Sequence, residues 1–286
     1  ILNELGYKAY LVPFIPQKEL SYVDGVIRPV LSYLKSSLLY RVKRSKFKTN
    51  PSFITPIYSG KLSDINDDYV VIYPEIVSGN PLNAQNVVRW FLHVPGFFSG
   101  KVHYSQKELY FRFRDGFIDG FDIPNSKLSD HLLHVIDIPT YLYNLDNIPD
   151  KRSGTAYAIR KGKNKPICHD LSDSILIDGK SHREIAEIFK RVKTFISYDA
   201  DTAYSRFAAL CGCESVVIPD LNRSKEKWKP DPAKRYGIAY GIDDIKNITD
   251  EEYLLLFNEI NKEIKNSTVN VEKFVDEVNQ YFFKGQ

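Results

Sequence analysis

Residues 194–219 read Thr194-Phe195-Ile196-Ser197-Tyr198-Asp199-Ala200-Asp201-Thr202-Ala203-Tyr204-Ser205-Arg206-Phe207-Ala208-Ala209-Leu210-Cys211-Gly212-Cys213-Glu214-Ser215-Val216-Val217-Ile218-Pro219. The apolar and β-branched opening predicts a strand over 194–198. A helix over 201–211 follows, ended by Gly212, and then a second strand over 215–218. Two strands joined through a helix pair in parallel, because an antiparallel pair needs only a hairpin. The loop after residue 198 therefore stands at the carboxyl end of a parallel strand, where open α/β sheets hold their ligands. Backbone N–H groups at 200–203 suit a phosphate there, with the Thr202 hydroxyl as a further donor and Tyr198 as an aromatic surface. Asp199 or Asp201 serves equally as a plain cap on the helix.

The pattern continues on both sides. Upstream, strands are expected over 155–160 and 174–178, and a helix over 181–192 opens with the capping box of Ser181 and Glu184. Between those strands runs Arg160-Lys161-Gly162-Lys163-Asn164-Lys165, a cation-rich loop at a strand end. Arg160 as a planar fork, with Lys161 and Lys163 as point charges, can hold a diphosphate; the alternative is a solvated surface turn. The span 163–173 is too short for a full crossover helix. Downstream, Gly237, Tyr240, Gly241 and Asp243 form either an ordinary turn or a loop that closes over a ligand. Two tail helices are expected, over 250–264, opened by Thr249 and Glu252, and over 269–282, with Val271, Phe274, Val275, Val278 and Phe282 as its apolar stripe.

The first half has the same α/β character. A buried strand over 67–75 carries Glu75 at its carboxyl end, and strands are expected over 108–113 and 132–137. Asn80 as cap and Pro81 at the first position predict a helix that places Val87, Val88, Phe91 and Leu92 on one side. Residues 1–6 read as the last turns of a helix capped by Gly6, followed by a strand over 7–12, so an earlier strand is expected to be missing from the chain. Residues 33–48 are a basic amphipathic helix, either a solvated face or a contact with anionic lipid or a phosphorylated acceptor. The turn-rich stretch 146–154 is the linker candidate, giving domains 1–148 and 149–265 and a last helix, 266–286, crossing back to the first.

Composition narrows the function. The 286 residues are 43% hydrophobic and 26% charged, which excludes disordered and collagen-like classes. A net charge of +3 is far short of the excess that nucleic acid demands. Three cysteines without C-x-x-C spacing argue against a disulfide framework and a zinc site, and fit a reducing cytoplasm. No apolar run approaches the roughly 20 residues of a spanning helix. The chain opens with Ile1 and contains no methionine. His93, His103, His131, His134, His169 and His182 show no metal-ligand spacing, and Asp67-Asp68 and Asp243-Asp244 are acid pairs of the kind that stand at element ends. No G-x-G-x-x-G, P-loop, H-E-x-x-H or G-x-S-x-G is present.

Three stretches carry a family resemblance: residues 194–219, Leu5-Gly6-Tyr7, and Tyr73-Pro74-Glu75 with Gly79-Asn80-Pro81-Leu82 and Val87-Val88-Arg89-Trp90. With these the chain resembles bacterial glycosyltransferases of the two-domain, facing-Rossmann type, GT-B, found in surface-polysaccharide (capsule, O-antigen, lipopolysaccharide) synthesis. The resemblance implies parallel sheets with helices on both faces, a nucleotide-sugar donor in the second domain and a saccharide or lipid-linked acceptor in the first. Arg160, Lys161 and Lys163 would meet the diphosphate; Tyr198, Asp199 and Thr202 the nucleotide or phosphates; Tyr240 and Gly241 the closing loop. Glu75, with His93 second, would be the general base. No cofactor and no metal is implied, since the nucleotide sugar is a substrate and fixed cations meet the leaving charge. The implied location is cytoplasmic, with peripheral contact at the inner face of the plasma membrane through 33–48. The chain departs from the family in lacking the E-x7-E acids: Thr202 and Arg206 stand where acids often appear. A nucleotide-sugar epimerase and a catalytically silent nucleotide-sugar binder are the competing functions.

Overall fold

Parallel pairing organises both halves of the chain. The computed structural model describes residues 1–13, 47–49, 53–98, 100, 102–119, 121, 125–245 and 247–283. Two compact units divide it: Ile1–Val135 with Asn266–Gln286, and Ile136–Lys265. The division lies at 135/136 rather than at 148/149, because Ile138 and Tyr143 are buried in the core of the second unit. The basic segment 33–48 lies outside the described residues apart from Phe47 and Lys48.

In the first unit β1 (Val70–Pro74), β2 (Asn86–Phe91), β3 (Leu109–Arg112) and β4 (Lys127–Leu132) form a parallel sheet in chain order. The helix expected over 81–92 is instead a turn followed by β2. Its apolar positions fit helical spacing, but Val87, Val88 and Phe91 are buried on both faces of a strand, which produces the same near-continuous apolar run. Asn80 caps no helix: its Oδ1 accepts from the Ala84 N–H at 3.0 Å and the Tyr73 hydroxyl at 3.1 Å, closing the β1–β2 connection. The strand expected over 132–137 is displaced upstream to β4, and Leu133 leaves the sheet to pack in the core below. The strand expected over 7–12 is reduced to a single bridge, Leu11 to Ile57.

Val88, Leu109 and Phe111 pack against Val271, Phe274, Val275 and Val278 of the last helix, covering one face. The connections between the four strands contain no helix among the described residues, so their carbonyls need partners from side chains. Arg89 supplies them. Fully buried, it forms a fork with Glu108 at 2.9 and 2.7 Å and donates to the Val77 and Gly79 carbonyls at 2.7 and 2.8 Å.

In the second unit β5 (Thr155–Ala158), β6 (Ser174–Leu176), β7 (Thr194–Ser197), β8 (Glu214–Val217) and β9 (Ile238–Tyr240) are all parallel, in the order β6-β5-β7-β8-β9. The loop expected around Tyr240 is in part the edge strand β9. Helices α1 (His182–Arg191), α2 (Tyr204–Leu210) and α3 (Lys225–Trp228) connect the later strands. Ala156, Ala158 and Phe195 face α1 and α2 in one core. Tyr157 points to the opposite face, where its ring meets His169 of the β5–β6 connection at 4.8 Å. That connection holds only a 3-10 turn, Arg160–Gly162, so helices on both faces are not what this strand carries.

The two expected tail helices are one, α4 (Asp250–Phe282), about 50 Å long. The polar run at 265–268 reads as a break, but none of its residues is Gly or Pro and the backbone ladder continues through it. Leu256 and Ile260 are buried in the core of the second unit; Val271 and Phe274 serve the first.

Candidate functional site

Strand order fixes where the second sheet opens. The connection leaving β5 goes to β6 and that leaving β7 goes to β8, so the chain departs in opposite directions from two neighbouring strands, leaving a crevice between their carboxyl ends. Arg160 and Asp199 meet there, Arg160 Nε lying 3.6 Å from Asp199 Oδ2. The Arg160 side chain is 45% exposed and the Asp199 side chain 6%, so the cation faces the opening from an anchored base. Its guanidinium also stands 5.3 Å from the Tyr204 ring centre.

The backbone that delivers Arg160 is strained. Its φ of +44° lies in the left-handed region, which costs a residue with a Cβ about 1–2 kcal/mol. Asp178, at the carboxyl end of β6, holds it by accepting from the Ile159 and Arg160 N–H groups at 3.2 and 2.9 Å. Gly162 is required next, since a Cβ there would overlap the Tyr198 carbonyl. Lys161 and Lys163 flank the turn as exposed cations. Lys165 does not join them. It reaches across the sheet end to the Ile218 carbonyl at 2.6 Å and Asp220 at 2.7 Å, and Asp220 pairs onward with Arg223, which pairs with Asp201.

The residues expected around the nucleotide separate. Tyr198 is fully buried and offers no surface: its hydroxyl accepts from the Cys168 N–H at 2.9 Å and lies 2.7 Å from His169 Nδ1. Burial pushes its phenol up to about 12. A residue after an inward-facing serine points to the other side of the strand, and here that side is the β5–β6 loop. The Asp201 N–H is taken by Asp199 Oδ1 at 3.1 Å and the Tyr204 N–H by Thr202 Oγ1 at 3.4 Å, so these residues cap their own turn. Tyr240 stacks on Trp228 at 4.8 Å in the core, and Gly241, with φ of +101°, donates to the Val217 carbonyl. Tyr240 ends edge strand β9 and Gly241 follows it, both outside the β5–β7 crevice. Lys225, Arg235 and Asp244 help line a cavity of about 180 Å³ beside β9, smaller than the ~300 Å³ at which small-molecule pockets begin.

In the first unit Glu75 and His93 follow β1 and β2 at adjacent carboxyl ends. Glu75 is 5% exposed and its Oε2 accepts from the Leu92 N–H at 2.9 Å. His93 packs against Phe97, Phe98 and Phe117 with ring centres 4.2, 5.0 and 5.5 Å away, and its buried Nδ1 has no hydrogen-bond partner among the described residues.

Asp178, Asp220 and Arg223 escaped the sequence reading. Asp178 carries a signal that could have found it, an acid closing a strand beside the basic loop; Asp220 and Arg223 follow Pro219 in a turn with none. No group of three or more His, Cys, Asp or Glu is placed to hold a metal among the described residues. Among the described residues no helix is long and apolar enough to cross a membrane. Compared with known proteins, the chain matches no family model, no curated protein and no solved structure.

Proposed function

We propose that the protein is a GT-B-type glycosyltransferase, moving a sugar from a nucleotide-sugar donor to a saccharide or lipid-linked acceptor in cell-surface polysaccharide synthesis. The observation that supports it is Arg160: a half-exposed guanidinium on strained backbone, anchored by Asp178 and Asp199, at the crevice where the strand order reverses. Such strain persists where surrounding structure over-determines it, and it gathers at functional sites. On this proposal the second unit binds the donor. Arg160 takes the diphosphate by charge-assisted bonds, and Lys161 and Lys163 add charge as the leaving group departs. Asp199 orients the guanidinium and holds its own turn.

The first unit binds the acceptor. Glu75, oriented by the Leu92 N–H, removes the proton of the attacking hydroxyl, and His93 beside it is the second candidate. Nucleotide sugars place the activity in the cytoplasm. The test is turnover: the purified chain, given a panel of nucleotide sugars with and without saccharide acceptors, releases nucleoside diphosphate. Glu75→Gln should lower release by about 10²–10⁴-fold while leaving nucleotide affinity unchanged. A silent nucleotide-sugar binder is the second reading, favoured by Arg206, which stands where acids often appear in the family it resembles and is tied to Glu263 at 2.6 Å. Nucleotide binding without turnover of any donor would select it.

A further inference from the structure

The carboxyl ends of β1 and β2 carry an unusual mixture. Phe97 and Phe98 are 65% and 67% exposed, and Leu92 and Val94 beside them are exposed as well. The His93 ring lies against them, 4.2 and 5.0 Å from the two phenyl centres, its Nδ1 without a partner among the described residues, and the Glu75 carboxylate is bonded to the N–H of the residue before His93. Exposed aromatic rings against an imidazole with an unsatisfied nitrogen call for a ligand that is apolar on one side and carries hydroxyls on its edge.

We propose that Phe97 and Phe98, with His93 and Glu75, form a pyranose-stacking acceptor subsite. It rests on the transferase proposal above and specifies that proposal's acceptor as a sugar ring presenting a C–H face. Aromatic faces are electron-rich and attract the polarised C–H groups of such a face, while ring hydroxyls meet the half-buried imidazole, with the Glu75 carboxylate behind it. The two phenyl rings meet at 84°, their centres 4.9 Å apart, forming a corner that fits the face and edge of one ring. A membrane surface is the poorer occupant. A flat bilayer would match only one of two perpendicular rings, and its hydrocarbon would leave His93 Nδ1 without a hydrogen-bond partner.

Methyl β-D-galactopyranoside, whose one face is a continuous C–H surface, is the probe. Its binding to the full chain is followed by saturation-transfer NMR and titration, in wild type and in a Phe97→Ala/Phe98→Ala variant. Both side chains are largely exposed, so the variant keeps the fold, checked by circular dichroism. Uridine and guanosine diphosphate are titrated in parallel. The subsite predicts glycoside binding that weakens about tenfold or more in the variant, with nucleotide affinity unchanged. Glycoside binding without any nucleotide binding would retain the subsite and remove the transferase. Equal glycoside affinity in both proteins, or none at tens of millimolar, overturns the subsite. Loss of sedimentation with phosphatidylglycerol vesicles in the variant, without glycoside binding, overturns it in favour of a membrane contact.

Discussion

Single residues carry the strain and the charge of this molecule. Arg89 makes four hydrogen bonds, two to Glu108 and two to loop carbonyls, between the rings of Tyr73 and Tyr104 at 5.0 and 4.5 Å. Arg89→Met leaves Glu108 buried and unpaired, and should cost about 3–5 kcal/mol in urea unfolding; adding Glu108→Leu should recover part of it. Buried acids set the response to alkali. Desolvation pushes the Cys211 and Cys213 thiols up to about 12 from an ordinary 9, and the Tyr73 and Tyr104 phenols up to about 12 from 10. A raised folded-state pKa means the native state keeps protons that the unfolded chain has lost. Stability is therefore full below pH 9 and falls between about pH 9 and 12, by up to about 1.4 kcal/mol per pH unit for each group. Urea midpoints measured across that window should decline, and Cys211→Ala should flatten the decline. Sequence made the cations of residues 160–163 visible because they sit at the end of a readable strand. It could not show that Tyr198 points away from the crevice or that Lys165 is consumed by Asp220, since both depend on which loop covers which face.

Elements were legible where a local signal decides them. The capping box of Ser181 and Glu184 is formed, Ser181 Oγ accepting from the Glu184 N–H and Glu184 Oε2 from the Ser181 N–H at 2.8 Å, and α1 begins where expected. Ser181→Ala should lower stability by about 1 kcal/mol, read as a lower urea midpoint at unchanged slope. β5, β7 and β8 were legible for a similar reason, being short runs of β-branched, aromatic and small residues between turns. β2 was not, because a strand buried on both faces and a helix of the same length share one apolar spacing, and the deciding contact is made by Arg89 with distant Glu108. The break expected near 265–268 failed for the opposite reason: local polarity suggested an end, but α4 has apolar partners on both sides of it, and burial of Leu256, Ile260, Val271 and Phe274 outweighs the weak propensity of a few polar residues.

At the scale of the whole molecule the chain is two parallel-sheet units with separate cores, and the proposed donor chemistry belongs to the second. A ligand that binds only the folded form stabilises it by mass action, about 2.7 kcal/mol at 100 times its dissociation constant, so nucleotide binding by the second unit is visible in the stability of the full chain. The account turns on whether the β5–β7 crevice takes a pyrophosphate through Arg160. Calorimetric titration of uridine and guanosine diphosphate into wild type, Arg160→Glu and, as a surface control, Lys262→Glu tests it most directly. Lys262 is 69% exposed on α4 and has no place in the crevice. The expected result is saturable binding of a nucleoside diphosphate to wild type and to the Lys262 variant, with binding abolished in Arg160→Glu. Equal affinity in all three, or no nucleoside diphosphate bound by wild type, would contradict it.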